Sequence, residues 1–274
     1  MIGLVNAVEI HSADDPRIAD YVDLSDPDRR RRVESRDDFF IAEGALVVRA
    51  LLSTDHRVRS VLVTPKQRAL LADALDPLDA PVYVVTPDVM KRTVGFDLHR
   101  GAVAAADRYP LPSMDAVLEG ATRVAVLERV NDHENLGALF RNAAAFGVDA
   151  VLLCPECSDP LYRRSVRVST GHVLTVPWTR ATPWPGAIDV LEARGFSVLA
   201  LTPAPEAERI DHFSPTQDRV AIVLGAEGPG LSADALKRAG RRVRIPMATG
   251  VDSLNVAVAG ALAFAHFAPH ERLS

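Results

Sequence analysis

Val220-Ala-Ile-Val-Leu-Gly-Ala-Glu-Gly-Pro-Gly-Leu-Ser232 is the stretch on which the fold turns. Its first five residues form an apolar run without period-2 alternation, as expected of a strand covered by helices on both faces. The run breaks into a loop of glycine and proline, and a helix is predicted over Ala233–Ala239. Strand, tight loop and helix in that order are the unit of a parallel α/β sheet.

The same unit recurs on either side. Strands are predicted at Val124–Leu127, Ala150–Leu153, Ser197–Leu201 and Val243–Ile245, with helices at Leu136–Phe146, Tyr162–Thr170, Ala187–Arg194 and Leu254–Phe267. Parallel sheets gather ligands at the carboxyl ends of their strands. Three segments fall there: Asn131-Asp-His-Glu-Asn-Leu-Gly-Ala-Leu-Phe-Arg141, the glycine-rich loop after Leu224, and Ile245-Pro-Met-Ala-Thr-Gly-Val-Asp-Ser-Leu-Asn255.

The first hundred residues alternate more loosely. A polar helix is predicted over Arg17–Val33, strands at Phe39–Ile41, Val58–Val63, Pro81–Val85 and Gly101–Ala106, and helices over Glu43–Leu52, from Pro65 to Leu75 and from Pro87. Tyr109-Pro-Leu-Pro-Ser113 biases the chain toward an extended path. The expected division is a smaller α/β domain over 1–108, a linker over 109–120 and a larger domain over 121–274.

The chain has 274 residues, 48% of them hydrophobic and 24% charged, with a net charge of −5. That is the balance of a soluble globular protein, with no global basic field to recruit nucleic acid. Local arginine clusters stand at Arg29 to Arg32, at Arg163, Arg164 and Arg167, and at Arg238, Arg241, Arg242 and Arg244; each reads equally as a solvated face or as an RNA contact. The N-terminus lacks the basic and apolar regions of a signal peptide. The apolar stretch Leu254–Ala268 is too short to cross a bilayer comfortably. Two cysteines make no disulfide framework, and a reducing cytoplasm is the expected compartment.

Each segment also has a plain structural reading. Asn135 is placed to cap a helix and Arg141 to lie one to two turns inside it, aimed at a bound anion or paired with Glu134 or Asp149 on the surface. The glycine-rich loop carries Glu227 and no lysine, so it resembles neither a Walker loop nor a dinucleotide turn; its carboxylate suits a cation or hydroxyls better than a phosphate. Asp252 or Ser253 is placed to cap the last helix, which leaves Asn255 with a buried amide to satisfy. Cys154-Pro-Glu-Cys157 stands alone, without the second pair that a zinc site needs. The histidines form no HExxH, and the GxSxG of a serine hydrolase is missing.

Taken together, the segments resemble the three signature motifs of the SpoU (TrmH-like) branch of the SPOUT RNA methyltransferases. Asn135-x-Gly137-x-x-x-Arg141 with Ala-x-x-Phe146-Gly147 is similar to the first motif, Leu224-Gly225-x-Glu227-Gly228-x-Gly230-Leu231 to the second, and Ile245-Pro246-Met247 with Ser253-Leu254-Asn255-Val256-Ala257-Val258-Ala259 to the third. The stretch from Asp159 to Gly171, with Val176-Pro177, also matches. The match runs from about residue 120 to 268. The N-terminal unit looks like an L30e/L7Ae-type RNA-binding domain.

The resemblance implies an α/β fold whose C-terminal parallel-sheet domain is tied in a deep trefoil knot. It implies S-adenosylmethionine as cofactor, a homodimer whose interface completes the active site, and no metal. Leu201, Thr202, Gly225, Gly230, Ile245, Met247 and Leu254 would bind the cofactor. Arg141, Asn135, Glu227, Ser253 and Asn255 would carry methyl transfer to a ribose 2′-hydroxyl of rRNA or tRNA. The alternative is an RNA- or ribosome-binding protein of the same fold that has lost catalysis; all five polar residues being present favours the enzyme. Thr170, and His133-Glu134, depart from the usual pattern.

Overall fold

The computed structural model describes residues 7–26, 38–98, 101–214 and 218–268. The chain divides into two compact units, one of Met1–Pro110 with Leu161–Thr175, the other of Leu111–Pro160 with Val176–Ser274.

The first unit holds strands β1 (Ala7–Ile10), β2 (Phe39–Glu43), β3 (Val58–Val63), β4 (Val82–Val85) and β5 (Ala102–Asp107) in the order β1-β4-β3-β5-β2. β1, β4 and β3 run parallel, and β5 is antiparallel to both β3 and β2. Its core sets Phe39, Ile41, Leu62 and Val103 against Val89 and Met90 of the helix Pro87–Val94. Several predicted elements are corrected. The polar helix appears as a 3₁₀ turn at Pro16–Tyr21, and its part beyond residue 26, with Arg29 to Arg32, lies outside the described residues. Glu43 ends β2 and does not open a helix, because Gly44 at φ 101 breaks the chain before Ala45–Leu52. The helix from Pro65 is interrupted at Leu71, whose φ/ψ of −108/12 is not helical.

The segment Leu161–Thr175 belongs to this first unit, although its place in the sequence put it in the C-terminal domain. It buries Val166 and Val173, and ion pairs fasten it. Arg163 pairs with Glu43, Arg167 donates to the other Glu43 oxygen at 3.2 Å, and Arg163 donates to the Leu24 carbonyl at 2.9 Å. Two of that cluster's arginines are thus spent on structure.

The second unit holds strands β6 (Arg123–Glu128), β7 (Ala150–Leu153), β8 (Trp178–Arg180), β9 (Phe196–Leu201), β10 (Glu208–Arg209), β11 (Arg219–Gly225) and β12 (Arg241–Arg244). They form one sheet in the order β10-β12-β9-β11-β6-β7-β8, parallel at every pairing. β11 is buried along its whole middle, as an apolar run covered on both faces must be. The core packs Val126, Leu152, Ala200 and Val223 against Ile188 and Leu191. β8 and β10 were not expected from sequence, and a short helix, Met114–Leu118, occupies part of the expected linker.

Register places the site. Gly225 is level with Glu128, Val223 with Ala200, and Leu201 with Val243. The loops leaving β6, β11, β9 and β12 therefore emerge side by side at one edge, where parallel sheets bind ligands. Two helices meet there: α1 (His133–Ala145) after β6 and α2 (Val256–His266) after β12. Their contact is close because Gly260 has no side chain; a Cβ would sit 2.4 Å from Leu139 Cδ2.

Candidate active site

The loop after β6 turns at Arg129, which takes a left-handed φ of 55. Asp132, not Asn135, caps α1: its Oδ1 accepts from the amides of Glu134 at 2.9 Å and Asn135 at 2.8 Å. Asn135 therefore stands in the first turn, with its side chain free for other use. The cap of α2 is also corrected. Asn255 itself supplies it, with Oδ1 accepting from the amides of Ala257 at 3.0 Å and Val258 at 3.2 Å, while Asp252 and Ser253 precede the helix.

That cap fixes which way the Asn255 amide faces. With its oxygen held by the helix, its nitrogen must point outward, and a primary amide nitrogen has two hydrogens to give. One goes to Asn135 Oδ1 at 2.8 Å, the other to Glu227 Oε1 at 2.7 Å. One side chain thus joins all three loops. Asn255 is exposed and not buried as expected, yet its donors and acceptor are fully engaged.

A cavity of 430 Å³ opens beside this junction, lined by all seven residues expected to bind a cofactor: Leu201, Thr202, Gly225, Gly230, Ile245, Met247 and Leu254. Its volume is in the range of about 300–1,000 Å³ usual for small-ligand sites. Glu227, Ser253 and Asn255 stand at its wall too. Gly225 is obligatory there, since a Cβ would lie 2.3 Å from the Gly230 carbonyl carbon. Gly228 and Gly230, at φ 83 and 67, leave open space where side chains would stand. A mostly apolar wall with one carboxylate suits a ligand with a flat apolar body and a positive charge. A second cavity of 250 Å³, lined by Asn135, Asp132 and Arg129 among others, shares Ala226, Glu227 and Val256 with the first.

Arg141 is exposed on α1 and lines neither cavity. Among the described residues it has no ion pair, so neither Glu134 nor Asp149 holds it. Its neighbour Asn142 instead fastens the two helices, donating to the Ala257 carbonyl at 2.9 Å.

Sequence reasoning missed Glu128. It ends β6, is 2% exposed, and accepts three hydrogen bonds: from the Trp184 indole at 2.8 Å, the Ser232 amide at 2.8 Å and the Ser232 hydroxyl at 2.7 Å. Ser232 closes the glycine-rich loop and caps the next helix, Ala233–Arg238. Glu128 thus anchors the loop that walls the larger cavity. The only signal in the sequence was a carboxylate closing an apolar strand.

The two cysteines are buried and free, their sulfurs 3.8 Å apart. The hydrogen bond between them holds the Cys154 thiol below its ordinary pKa and pushes Cys157 above, with burial adding to the rise. Arg180 staples this turn through the carbonyls of Cys154 at 3.1 Å and Cys157 at 2.8 Å. No group of three or more metal-ligating side chains occurs among the described residues. Nor is any described helix long and apolar enough to cross a membrane. In the third arginine cluster Arg238 pairs with Asp189, and Arg244 donates to the Ala207 carbonyl at 3.1 Å.

The model of the SpoU rRNA methylase family matches residues 122–265. The chain belongs to that family. A tRNA/rRNA methyltransferase of Mycobacterium tuberculosis, itself uncharacterized, is 48% identical over 93% of this chain and 90% of its own. The 23S rRNA (guanosine-2′-O-)-methyltransferase RlmB of Ralstonia nicotianae is 34% identical over 62% of this chain and 69% of its own. Among solved structures, an AdoMet-bound rRNA methyltransferase from Sinorhizobium meliloti superposes with a TM-score of 0.78, at 25% identity, over 95% of this chain and 97% of its own. The SpoU methyltransferase AviRb of Streptomyces viridochromogenes, at 21% identity and a TM-score of 0.75, shares the fold over 86% of this chain and 92% of its own. The SpoU match spans all three loops that meet at Asn255.

Proposed function

We propose that this protein transfers a methyl group from S-adenosylmethionine to a ribose 2′-hydroxyl of rRNA or tRNA. The observation that carries this reading is the Asn135–Asn255–Glu227 junction standing at the wall of the 430 Å³ cavity. The methyl donor fits the residues present: the Leu201, Ile245 and Leu254 walls suit its adenosine, and Glu227 suits its positive charge. When bound, it supplies an electrophilic methyl group on a sulfonium.

The chain's own residues then align the acceptor, so that the 2′-oxygen takes the methyl as its bond to sulfur breaks and the hydroxyl proton passes to water. Glu227 keeps its second oxygen, and Asn135 its amide nitrogen, for the incoming ribose, because Asn255 takes only one atom of each. Ser253, on the same wall, shapes the approach. Arginine stays protonated in proteins, so Arg141 acts by binding a phosphate or stabilising the developing alkoxide.

A homodimer is part of the same proposal. Val258 and Leu262, one turn apart on α2, are 49% and 48% exposed, an apolar face that a second copy would cover. Arg141 lines neither of the two cavities described, which agrees with a site completed across such an interface. A trefoil knot agrees with the path of Ile245–Asn255, which returns to line one cavity with the loops after β9 and β11. We assign an RNA-binding role to the N-terminal segment, residues 1–108, expected from the sequence.

Calorimetry with S-adenosylmethionine and mass-spectrometric mapping of RNA from cells with and without the gene test the reading. A ribose methyl group that depends on the gene, abolished by Arg141→Ala with donor affinity kept within a few-fold, is expected. Absence of donor binding, or a methyl group found on a base, overturns it. A protein that binds RNA and leaves it unmodified would support the inactive alternative.

A further inference from the structure

Arg129 carries three features that the proposed chemistry does not use. Its backbone takes φ 55, in the left-handed region that non-glycine residues seldom occupy and that clusters at functional sites. Its Nε is sealed from solvent without an acceptor, and its guanidinium has no ion pair or hydrogen bond among the described residues. It also lines the 250 Å³ cavity that adjoins the Asn135–Asn255–Glu227 junction.

The carboxylates around Arg129 have other partners. Asp132 accepts from two backbone amides and Glu227 from Asn255, while Glu156 accepts from the Cys154 thiol and feels the Arg129 charge without forming an ion pair with it. The backbone position is fixed as well, since the Arg129 amide donates to Cys154 Sγ at 3.1 Å. What remains is a planar fork of donors, on a residue that lines the cavity, without a hydrogen-bond acceptor among the described residues, which is half of a bidentate phosphate contact.

We propose that Arg129 binds a backbone phosphate of the RNA substrate, so that the smaller cavity receives the strand at the nucleotide being modified. The proposal rests on the methyltransferase reading above. The other anion that could come near is the carboxylate of the methyl donor, but Arg129 lines only the smaller cavity and not the larger one. Holding the strand by a phosphate fixes its register beside Asn135 without reading its sequence.

The test compares wild type with Arg129→Gly and Arg129→Lys. The probes are rRNA and tRNA purified from cells lacking the gene, bound over a series of salt concentrations, with donor affinity and Tm measured in parallel. Glycine relieves the backbone strain, so Arg129→Gly should melt no lower than wild type while losing the contact. Its slope of log affinity against log salt should be shallower by about 1, with RNA binding about tenfold weaker at low salt and donor affinity within twofold of wild type. Arg129→Lys should keep the slope and lose only part of the affinity, because a point charge cannot form the fork. Unchanged RNA affinity and slope in Arg129→Gly, with wild type still methylating RNA, overturn the proposal and leave the methyltransferase reading standing. Loss of donor affinity with RNA binding intact also overturns it, by assigning the contact to the donor carboxylate. A wild type that binds no donor overturns the methyltransferase reading and this proposal together.

Discussion

Among the described residues each unit buries one glutamate, and the two are satisfied in opposite ways. Glu43, 6% exposed in the N-terminal unit, faces the guanidiniums of Arg163 and Arg167. Glu128, 2% exposed in the C-terminal unit, has no cation against it among the described residues and is held by three neutral donors from Trp184 and Ser232. The first cancels charge with charge and draws a segment onto the sheet. The second relies on hydrogen bonds alone and fixes directions, one of them toward the loop that walls the 430 Å³ cavity. A carboxylate serves structure in both places, but only the second holds the wall of the proposed ligand site in shape.

The difference can be broken by mutation. The largest effect is expected from Glu43→Ala, which leaves two arginines without their buried partner and should cost about 3 kcal/mol in denaturant unfolding. Donor affinity measured by calorimetry should stay unchanged, since every residue lining the cavity proposed for the donor belongs to the other unit. Affinity falling in step with stability would erase the distinction drawn between the two glutamates. Next comes Glu128→Gln, which keeps one acceptor but turns an amide nitrogen against the donors of Ser232 or Trp184. It should cost about 2 kcal/mol of stability by leaving buried donors unmatched. Here donor affinity should fall about tenfold, as the glycine-rich loop loses its anchor. A Glu128→Gln protein that binds the donor like wild type would make the clamp merely structural.

The same contrast explains what could be read in the sequence. Ala150–Leu153 was predicted at its observed bounds because a short apolar run buried on both faces leaves little choice. The edge strands Trp178–Arg180 and Glu208–Arg209 were not seen; they are short and largely polar, and only register with β7 and β12 makes them strands. Gly225, Gly230, Ile245, Met247 and Leu254 came from motif order, which survives in a linear chain, and Leu201 and Thr202 from their position at the end of a strand. The partners did not. Glu43 and Arg163 lie 120 residues apart, and Glu128 and Ser232 lie 104 apart, with nothing local to join them. Caps were misassigned for a related reason. Asn135 and Asp132 are both good cap residues, as are Ser253 and Asn255, and tertiary bonds decide which of each pair is used.

The smallest effect sharpens the comparison most. Trp184→Phe keeps the ring against the core and removes one of the three donors to Glu128, so it should cost about 1 kcal/mol and weaken donor binding two- to threefold, by about 0.5 kcal/mol. Trp184 and the Ser232 hydroxyl share the same Glu128 oxygen, so the two contacts cannot act independently. Combining Trp184→Phe with Glu128→Gln should therefore do less than the sum of the single changes, because the indole then has no clamp left to lose. Arg163 and Arg167 reach different oxygens of Glu43, so removing either should leave most of the other's contribution in place. Coupling at Glu128 and near-additivity at Glu43 would establish one glutamate as the centre of a network and the other as a pair of separate bridges.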